Sequence, residues 1–239
     1  MDYDERRAAA YDSERAERAA EAGATADVVA ELAGGGPVLE LGVGTGRIAV
    51  PLAERGVKVT GIDASQAMVD RLRQKDPDGR IELVMGDFAD PPALVTGPFT
   101  VVLVAISTLF ELDDQEAQLR CLTGARAILA DDGVVVIEAF APDVTRLDQS
   151  LSVAGTTHGG VTLRAVRHDP LAQVVEGHDV VVDGSGTHLV PYRIRYATVP
   201  ELDLMARLAG LRLRDRWGGW HRQPFDLASD RHVSVYERG

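Results

Sequence analysis

Three glycines at alternate positions, Gly42, Gly44 and Gly46, follow the apolar run Val38-Leu39-Glu40-Leu41. At a strand-to-helix junction such glycines let backbone N–H groups approach a ligand closely, and the helix N-terminus beyond them favours partial negative charge. The spacing discriminates among ligands. A dinucleotide fingerprint, G-x-G-x-x-G, needs glycine at position 47, where the chain has Arg47, and the Gly-Lys-Ser/Thr end of a phosphate-cradling loop is missing as well. Asp63 ends the run Val59-Thr60-Gly61-Ile62-Asp63, 21 residues after Gly42. A carboxylate there can accept hydrogen bonds from both hydroxyls of a ribose, which by itself suits a dehydrogenase as well as other nucleoside-binding enzymes.

Other groups could act on a second substrate. Glu111, in Ser107-Thr108-Leu109-Phe110-Glu111-Leu112, could hold a cationic amine, take a proton or stabilise growing positive charge; alternatively it opens the acidic cluster Glu111-Leu112-Asp113-Asp114 and complements the dipole of the next helix. His221, in Trp217-Gly218-Gly219-Trp220-His221, carries an imidazole, the side-chain type suited to moving a proton near neutral pH, although a surface role is equally open to it. Tyr192, Ile194 and Tyr196 share one face of a strand and Arg193 and Arg195 the other, so an aromatic roof or ordinary packing would both fit. The histidines at 158, 168, 178 and 188 recur every ten residues. That spacing, without cysteines, is unlike a metal site, and none is assigned. The lone Cys121 cannot form an internal disulfide, reads as a buried hydrophobe, and points to the cytoplasm.

Positioning these groups falls to a regular alternation of elements. Apolar runs at 38–41, 57–62, 81–85, 100–106 and 134–139 alternate with helical patterns at 48–54, 66–74 and 116–130. Continuous apolar strands between amphipathic helices predict a parallel sheet covered on both faces, a doubly wound α/β domain. An exposed helix is expected from Asp4 to about Ala22, then a second over 25–33 with Thr25 as its N-cap. Beyond Pro142, β-rich segments at 161–168, 173–183 and 188–196 are separated by turn residues, which predicts a small antiparallel insertion. A helix over 199–209 and a strand over 232–238 close the chain. The division expected is a helical N-terminal lid (1–33), a ligand-binding core (34–142), an antiparallel cap (143–197) and closing elements that complete the sheet (198–239). A net charge of −12 over 239 residues disfavours nucleic acid or an anionic membrane as partner, and no apolar run is long enough to span a bilayer. A small molecule is easier to accommodate, and a homodimer is left open.

The pattern Glu40-x-Gly42-x-Gly44-x-Gly46 resembles the first motif of the class I S-adenosylmethionine-dependent methyltransferases, small-molecule type, and the likeness extends from Pro37 to Pro142. It implies a mostly parallel, seven-stranded Rossmann-like sheet with the antiparallel insertion over the active site. It also implies a cofactor with a cationic amino group and a sulfonium but no phosphates, which an acidic loop meets better than a lysine. By that resemblance Glu40 serves the methionine end and the backbone of Gly42, Gly44 and Gly46 passes beneath it. Asp63 with Ala64 takes the ribose, Asp87 takes the adenine amino group with Phe88 beside the ring, and Ala105 and Ile106 line the cofactor. Met68 packs near adenine or in the core. The loop that carries Glu111 resembles that of amino-sugar N-methyltransferases, but the position where some of those have His is Glu111 here, which puts a sugar acceptor in doubt. Tyr11 corresponds to an aromatic that folds over the cofactor as a lid. Tyr11, Glu111 and His221 are the candidate catalytic residues. A specialised metabolite methylated on nitrogen or an electron-rich aromatic carbon is preferred over an oxygen acceptor; a nicotinamide oxidoreductase and an inactive cofactor-binding regulator are the alternatives.

Overall fold

A computed structural model describes residues 21–143, 151–157, 159–184 and 186–239. Five apolar runs form parallel strands: β1 (Val38–Leu41), β2 (Val59–Asp63), β3 (Ile81–Met85), β4 (Phe99–Val104) and β5 (Leu129–Phe140). The crossovers carry α1 (Ala22–Ala33) ahead of β1, then α2 (Ala49–Glu54), α3 (Gln66–Lys75) and α4 (Gln115–Ala127). After a second, four-stranded antiparallel sheet, β6 (Leu151–Thr157) to β7 (Gly160–Asp169), β8 (Val174–Asp183) and β9 (Gly186–Arg195), the chain returns through α5 (Val199–Leu208), β10 (Leu211–Trp217) and β11 (Arg231–Arg238). The large sheet has the order β10-β11-β5-β4-β1-β2-β3, with β11 antiparallel to β5 and β10 antiparallel to β11. This is the expected doubly wound, mostly parallel seven-stranded fold with a small antiparallel sheet.

Alternation along the strands divides the core. Leu39, Leu41, Val102, Val104, Val135 and Ile137 face one side, where α4 and α5 add Cys121, Leu122, Leu202 and Met205. Val38, Val101, Leu103, Val134 and Val136 face the other, where α1 and α2 add Val28, Val29, Ala49 and Leu52. Each fully buried side chain of this kind contributes roughly 1.5–3 kcal/mol, so both faces must be covered for the sheet to persist. Burial pushes the Cys121 thiol up to about 12, which leaves it an inert part of the packing.

Three details differ from the sequence reading. Helix α1 starts at Ala22 with Glu21 at its N-cap, so Thr25 lies in the first turn and its hydroxyl donates to the Glu21 carbonyl at 3.0 Å instead of capping. Strand β10, Leu-Arg-Leu-Arg-Asp-Arg-Trp, escaped the reading because it is a charged edge strand; arginines there keep the open edge from pairing with another chain. Strand β6, the edge of the small sheet, has exposed Leu151 and Val153 and little of the apolar content that marks a buried strand.

The small sheet is fixed to the body at its root by Arg195, which shares a strand face with the exposed Arg193 yet is itself only 6% exposed. Its guanidinium donates to Gln118 Oε1 (2.8 Å), Gln173 Oε1 (3.1 Å) and Glu201, while Gln118 Nε2 donates back to the Arg195 carbonyl at 2.7 Å. Burial opposes charge on Glu201, but hydrogen bonds from Arg195, Gln173 and Gln115 hold its carboxyl below the ordinary range.

Candidate active site

The loops that follow β1 to β4 all emerge at the carboxyl edge of the parallel strands, where open α/β sheets bind ligands. The three glycines of the first loop all have positive φ, but they do different things. A Cβ on Gly42 would lie 2.4 Å from Thr108 Cγ2, and one on Gly46 would lie 2.7 Å from Leu72 Cγ, so these two are glycines because neighbours crowd them. A Cβ on Gly44 would meet nothing within 4 Å. Gly44 therefore faces open space, with its N–H donating to Asp63 Oδ2 at 2.8 Å.

Asp63 is tied to its own loop as well, since its Oδ1 accepts from Ser65 N at 2.8 Å. Burial raises its pKa, against the lowering effect of the Ser65 and Gly44 amides. Each carboxylate oxygen retains a further lone pair for a ligand hydroxyl. Ser65 caps α3 by accepting from Met68 N, which fixes buried Met68 in the first turn; Ala64, between Asp63 and Ser65, is exposed. Asp87 is exposed, with Oδ1 accepting from Ala89 N at 2.9 Å, so one oxygen shapes the turn and the other is available. Phe88 Cε1 lies 3.6 Å from where a Gly42 Cβ would be, which brings the ring to the glycine loop.

Glu40 is 4% exposed, and its Oε2 has no hydrogen-bond partner. Burial drives its pKa up to about 8, with Arg47 and the Ala49 amide lowering it and Asp63 raising it. A buried carboxylate with a vacant acceptor, beside an open glycine and a second carboxylate, suits a ligand that brings a cationic amino group and hydroxyls. These acceptors are of the kind that the amino group and ribose hydroxyls of S-adenosylmethionine require.

Beyond β4 the backbone turns through two successive non-glycine residues with positive φ, Ile106 (57°) and Ser107 (64°). Such a turn persists only when its surroundings over-determine it. Here Glu138 Oε2 accepts from Ile106 N (3.0 Å), the Glu138 carbonyl accepts from Ser107 N (2.8 Å), and Ser107 Oγ accepts from Phe140 N (3.0 Å). Arg231 reaches Glu138 Oε1 at 3.4 Å and forms a bidentate pair with Glu21, 2.6 Å on each arm. A cavity of about 350 Å³ opens among Ile106, Ser107, Glu138, Phe140, Asp230 and Arg231, with Glu21 at its rim. A smaller hollow, bordered by Arg47, Ile48 and Trp220, shares Glu21, Ile106 and Glu138 as its wall.

Glu138, Arg231 and Glu21 were not singled out in the sequence, and Trp220 was named only as the neighbour of His221. Glu138 carried the same signal as Glu40, an acid inside an apolar strand. The remaining candidates are dispersed. Ala105 is buried beside Ile106. Glu111 ends a single helical turn (Thr108–Glu111) on the same loop, and Asp114, accepting from Ala117 N at 2.8 Å, is the cap of α4, so capping does not fall to Glu111. His221 is exposed, whereas its neighbour Trp220 is 3% exposed and faces inward. Tyr11 and His158 lie outside the described residues. His168, His178 and His188 sit on successive strands of the small sheet, three ladder rows (roughly 10 Å) apart from one to the next, because each hairpin advances about ten residues. His168 Nε2 is 2.9 Å from the buried Tyr196 hydroxyl, and Tyr192 and Ile194 pack against the core. Among the described residues no group of three His, Cys, Asp or Glu is placed to hold a metal ion, and no helix is long and apolar enough to cross a membrane.

Comparison with known proteins places the chain in a family. Residues 38–133 match a family model described as a methyltransferase domain. A cypemycin N-terminal methyltransferase from Streptomyces sp is 30% identical over 214 residues, covering 85% of this chain and 84% of the relative. The CcbJ methyltransferase from Streptomyces caelestis superposes with a TM-score of 0.86 at 40% identity, covering 92% of this chain and 90% of the other. The S-adenosylmethionine-bound amino pentose methyltransferase CalS10 from Micromonospora echinaspora shares the fold, with a TM-score of 0.71 at 21% identity over 94% of this chain and 96% of its own. The nicotinamide-oxidoreductase and inactive-regulator alternatives are set aside, and S-adenosylmethionine is the cofactor. The chain belongs to the class I S-adenosylmethionine-dependent methyltransferases.

Proposed function

We propose that the enzyme methylates a basic nitrogen of a small specialised metabolite, in preference to an aromatic carbon or an oxygen. The observation that carries this reading is the charge of the 350 Å³ cavity, where Glu21, Glu138 and Asp230 outnumber Arg231 and the surplus acid attracts an amine. The likeness to a methyltransferase named for an N-terminal acceptor supports it. The single buried cysteine favours a cytoplasmic setting.

Bound S-adenosylmethionine supplies an electrophilic methyl group on a cationic sulfur. The chain's part is to hold that group and seat the nitrogen beyond it. In this reading Glu40 accepts from the cofactor's amino group, Gly42, Gly44 and Gly46 form the floor, and Asp63 with Ala64 takes the ribose. Asp87 and Phe88 receive the adenine, flanked by Met68, Ala105 and Ile106. Glu111 is the first candidate to steady the acceptor amine, with Tyr11 as a lid. His221 has less claim, being exposed.

The test is labelled-methyl transfer to a panel of probes: alanine tripeptide with a free α-amino group, its N-acetylated form, a 2-amino sugar and a catechol. Label on a free amine and none on the acetylated peptide supports the reading. Label on the catechol alone overturns it. Glu111→Gln should lower turnover on the accepted amine while sparing cofactor affinity; equal turnover would remove Glu111 from the acceptor site.

A further inference from the structure

We propose that Glu138 is a positioning residue for methyl transfer, holding the Ile106-Ser107 turn as the wall between the glycine-loop side and the acceptor cavity. This rests on methyl transfer alone and not on which atom is methylated. Ile106 and Glu138 border both the large cavity and the hollow beside Arg47, Ile48 and Trp220, so a movement of this turn changes both spaces together.

Neither Ile106 nor Ser107 is a residue that favours left-handed backbone, and each such conformation costs on the order of 1 kcal/mol or more. The turn is kept by three straps to β5: Ile106 N–H to the Glu138 carboxylate, Ser107 N–H to the Glu138 carbonyl, and Phe140 N–H to Ser107 Oγ. One of them, to Ile106, depends on the Glu138 side chain; the Glu138 carbonyl serves Ser107 whatever residue stands there. The other oxygen of the Glu138 carboxylate faces Arg231, which Glu21 grips at the entrance to α1, so the carboxylate is itself held from behind. Removing the Glu138 carboxylate frees the Ile106 N–H and should let the turn relax toward ordinary φ values, shifting the wall that the cavity and the hollow share. A displacement of about 1 Å at such a wall can cost on the order of 100-fold in rate.

The experiment uses the full chain with Glu138→Leu, which is nearly isosteric and lacks both oxygens, and Glu138→Gln, which keeps an acceptor for Ile106 N–H. Amide hydrogen exchange at Ile106 and Ser107 is followed by NMR, S-adenosylhomocysteine affinity by calorimetry, and turnover with the accepted amine of the probe panel. The Leu variant should exchange Ile106 about tenfold faster, the cost of a lost bond to a charged acceptor. It should also lose about 100-fold in kcat, with KM and S-adenosylhomocysteine affinity unchanged. The Gln variant should recover the protection and most of the kcat. Unchanged exchange at Ile106 in the Leu variant overturns the proposal, as does faster exchange with normal kcat. Should that variant fail to fold, Ser107→Ala cuts the Phe140 strap alone: faster exchange of Phe140 N–H with lowered kcat supports the proposal, and no change in either overturns it. If no probe is methylated, the acceptor reading fails, and the exchange measurement still decides whether Glu138 holds the turn.

Discussion

The Gly44 N–H donates to Asp63 Oδ2 across 2.8 Å, binding the glycine loop of β1 to the tip of β2. Asp63 therefore has two tasks, shaping the loop and taking ligand hydroxyls. Asp63→Ala removes both, and S-adenosylhomocysteine affinity should fall about 10- to 100-fold, equivalent to 1–3 kcal/mol. Asp63→Asn should not rescue it, because an amide presents N–H groups toward either the Gly44 or the Ser65 amide. Titration calorimetry checks both variants, and binding by the Ala variant at wild-type strength removes Asp63 from the cofactor site.

Strands β1 to β5 were legible because buried parallel strands are near-continuous apolar runs, and Glu40 and Asp63 because each ends or interrupts such a run at a fixed distance from the glycines. What the sequence hid depends on facing. Residues 220 and 221 are neighbours on one turn, and only the fold shows that Trp220 turns inward and His221 outward. Glu138, an acid inside the apolar run 134–139, gained its meaning only when its register beside Val233 and the turn after β4 brought Ile106 onto it. Arg195 shares its strand face with the exposed Arg193, yet at the sheet's root that face meets α4 and α5.

Arg195 supplies a stability prediction. Arg195→Met leaves the Glu201 carboxylate partly buried without its cation and strips Gln118 and Gln173 of partners, which should cost about 3–5 kcal/mol. Adding Glu201→Leu removes the stranded charge and should recover part of that loss. Denaturant midpoints of the single and double variants measure it; a double variant less stable than the single would contradict the account.

Glu40, with its pKa at about 8, is mostly protonated in the free enzyme at neutral pH. A cationic amino group placed against its vacant Oε2 favours the carboxylate, so ligand binding at pH 7 should release a proton. Calorimetry of S-adenosylhomocysteine binding in phosphate and in Tris, which differ in ionisation enthalpy, detects it. The two buffers should give different apparent enthalpies for the native enzyme and converge for Glu40→Gln. Equal enthalpies for the native enzyme would place the amino group elsewhere.

The same carboxyl and His232 make opposite contributions to stability against pH. Glu40 keeps its proton in the folded state up to about 8 but loses it near 4.5 when unfolded, so across that window the native state binds more protons and stability falls as pH rises. His232 is fully buried, with Nδ1 2.9 Å from Ser234 Oγ and Nε2 unpartnered. Burial, helped by nearby Arg216, lowers its pKa from 6.5 to about 4, so between those values the unfolded chain binds more protons and stability rises with pH. Each slope is about 1.4 kcal/mol per pH unit. They cancel where the windows overlap, and above pH 6.5 only the Glu40 slope remains. The ligand-free enzyme should therefore lose stability from pH 6.5 to 8. Glu40→Gln should abolish that decline and uncover a rise between pH 4.5 and 6.5, whereas His232→Leu should extend the decline down to pH 4.5. Urea midpoints across this range distinguish the three curves, and a Glu40→Gln curve parallel to that of the native enzyme would mean that Glu40 ionises normally in the fold.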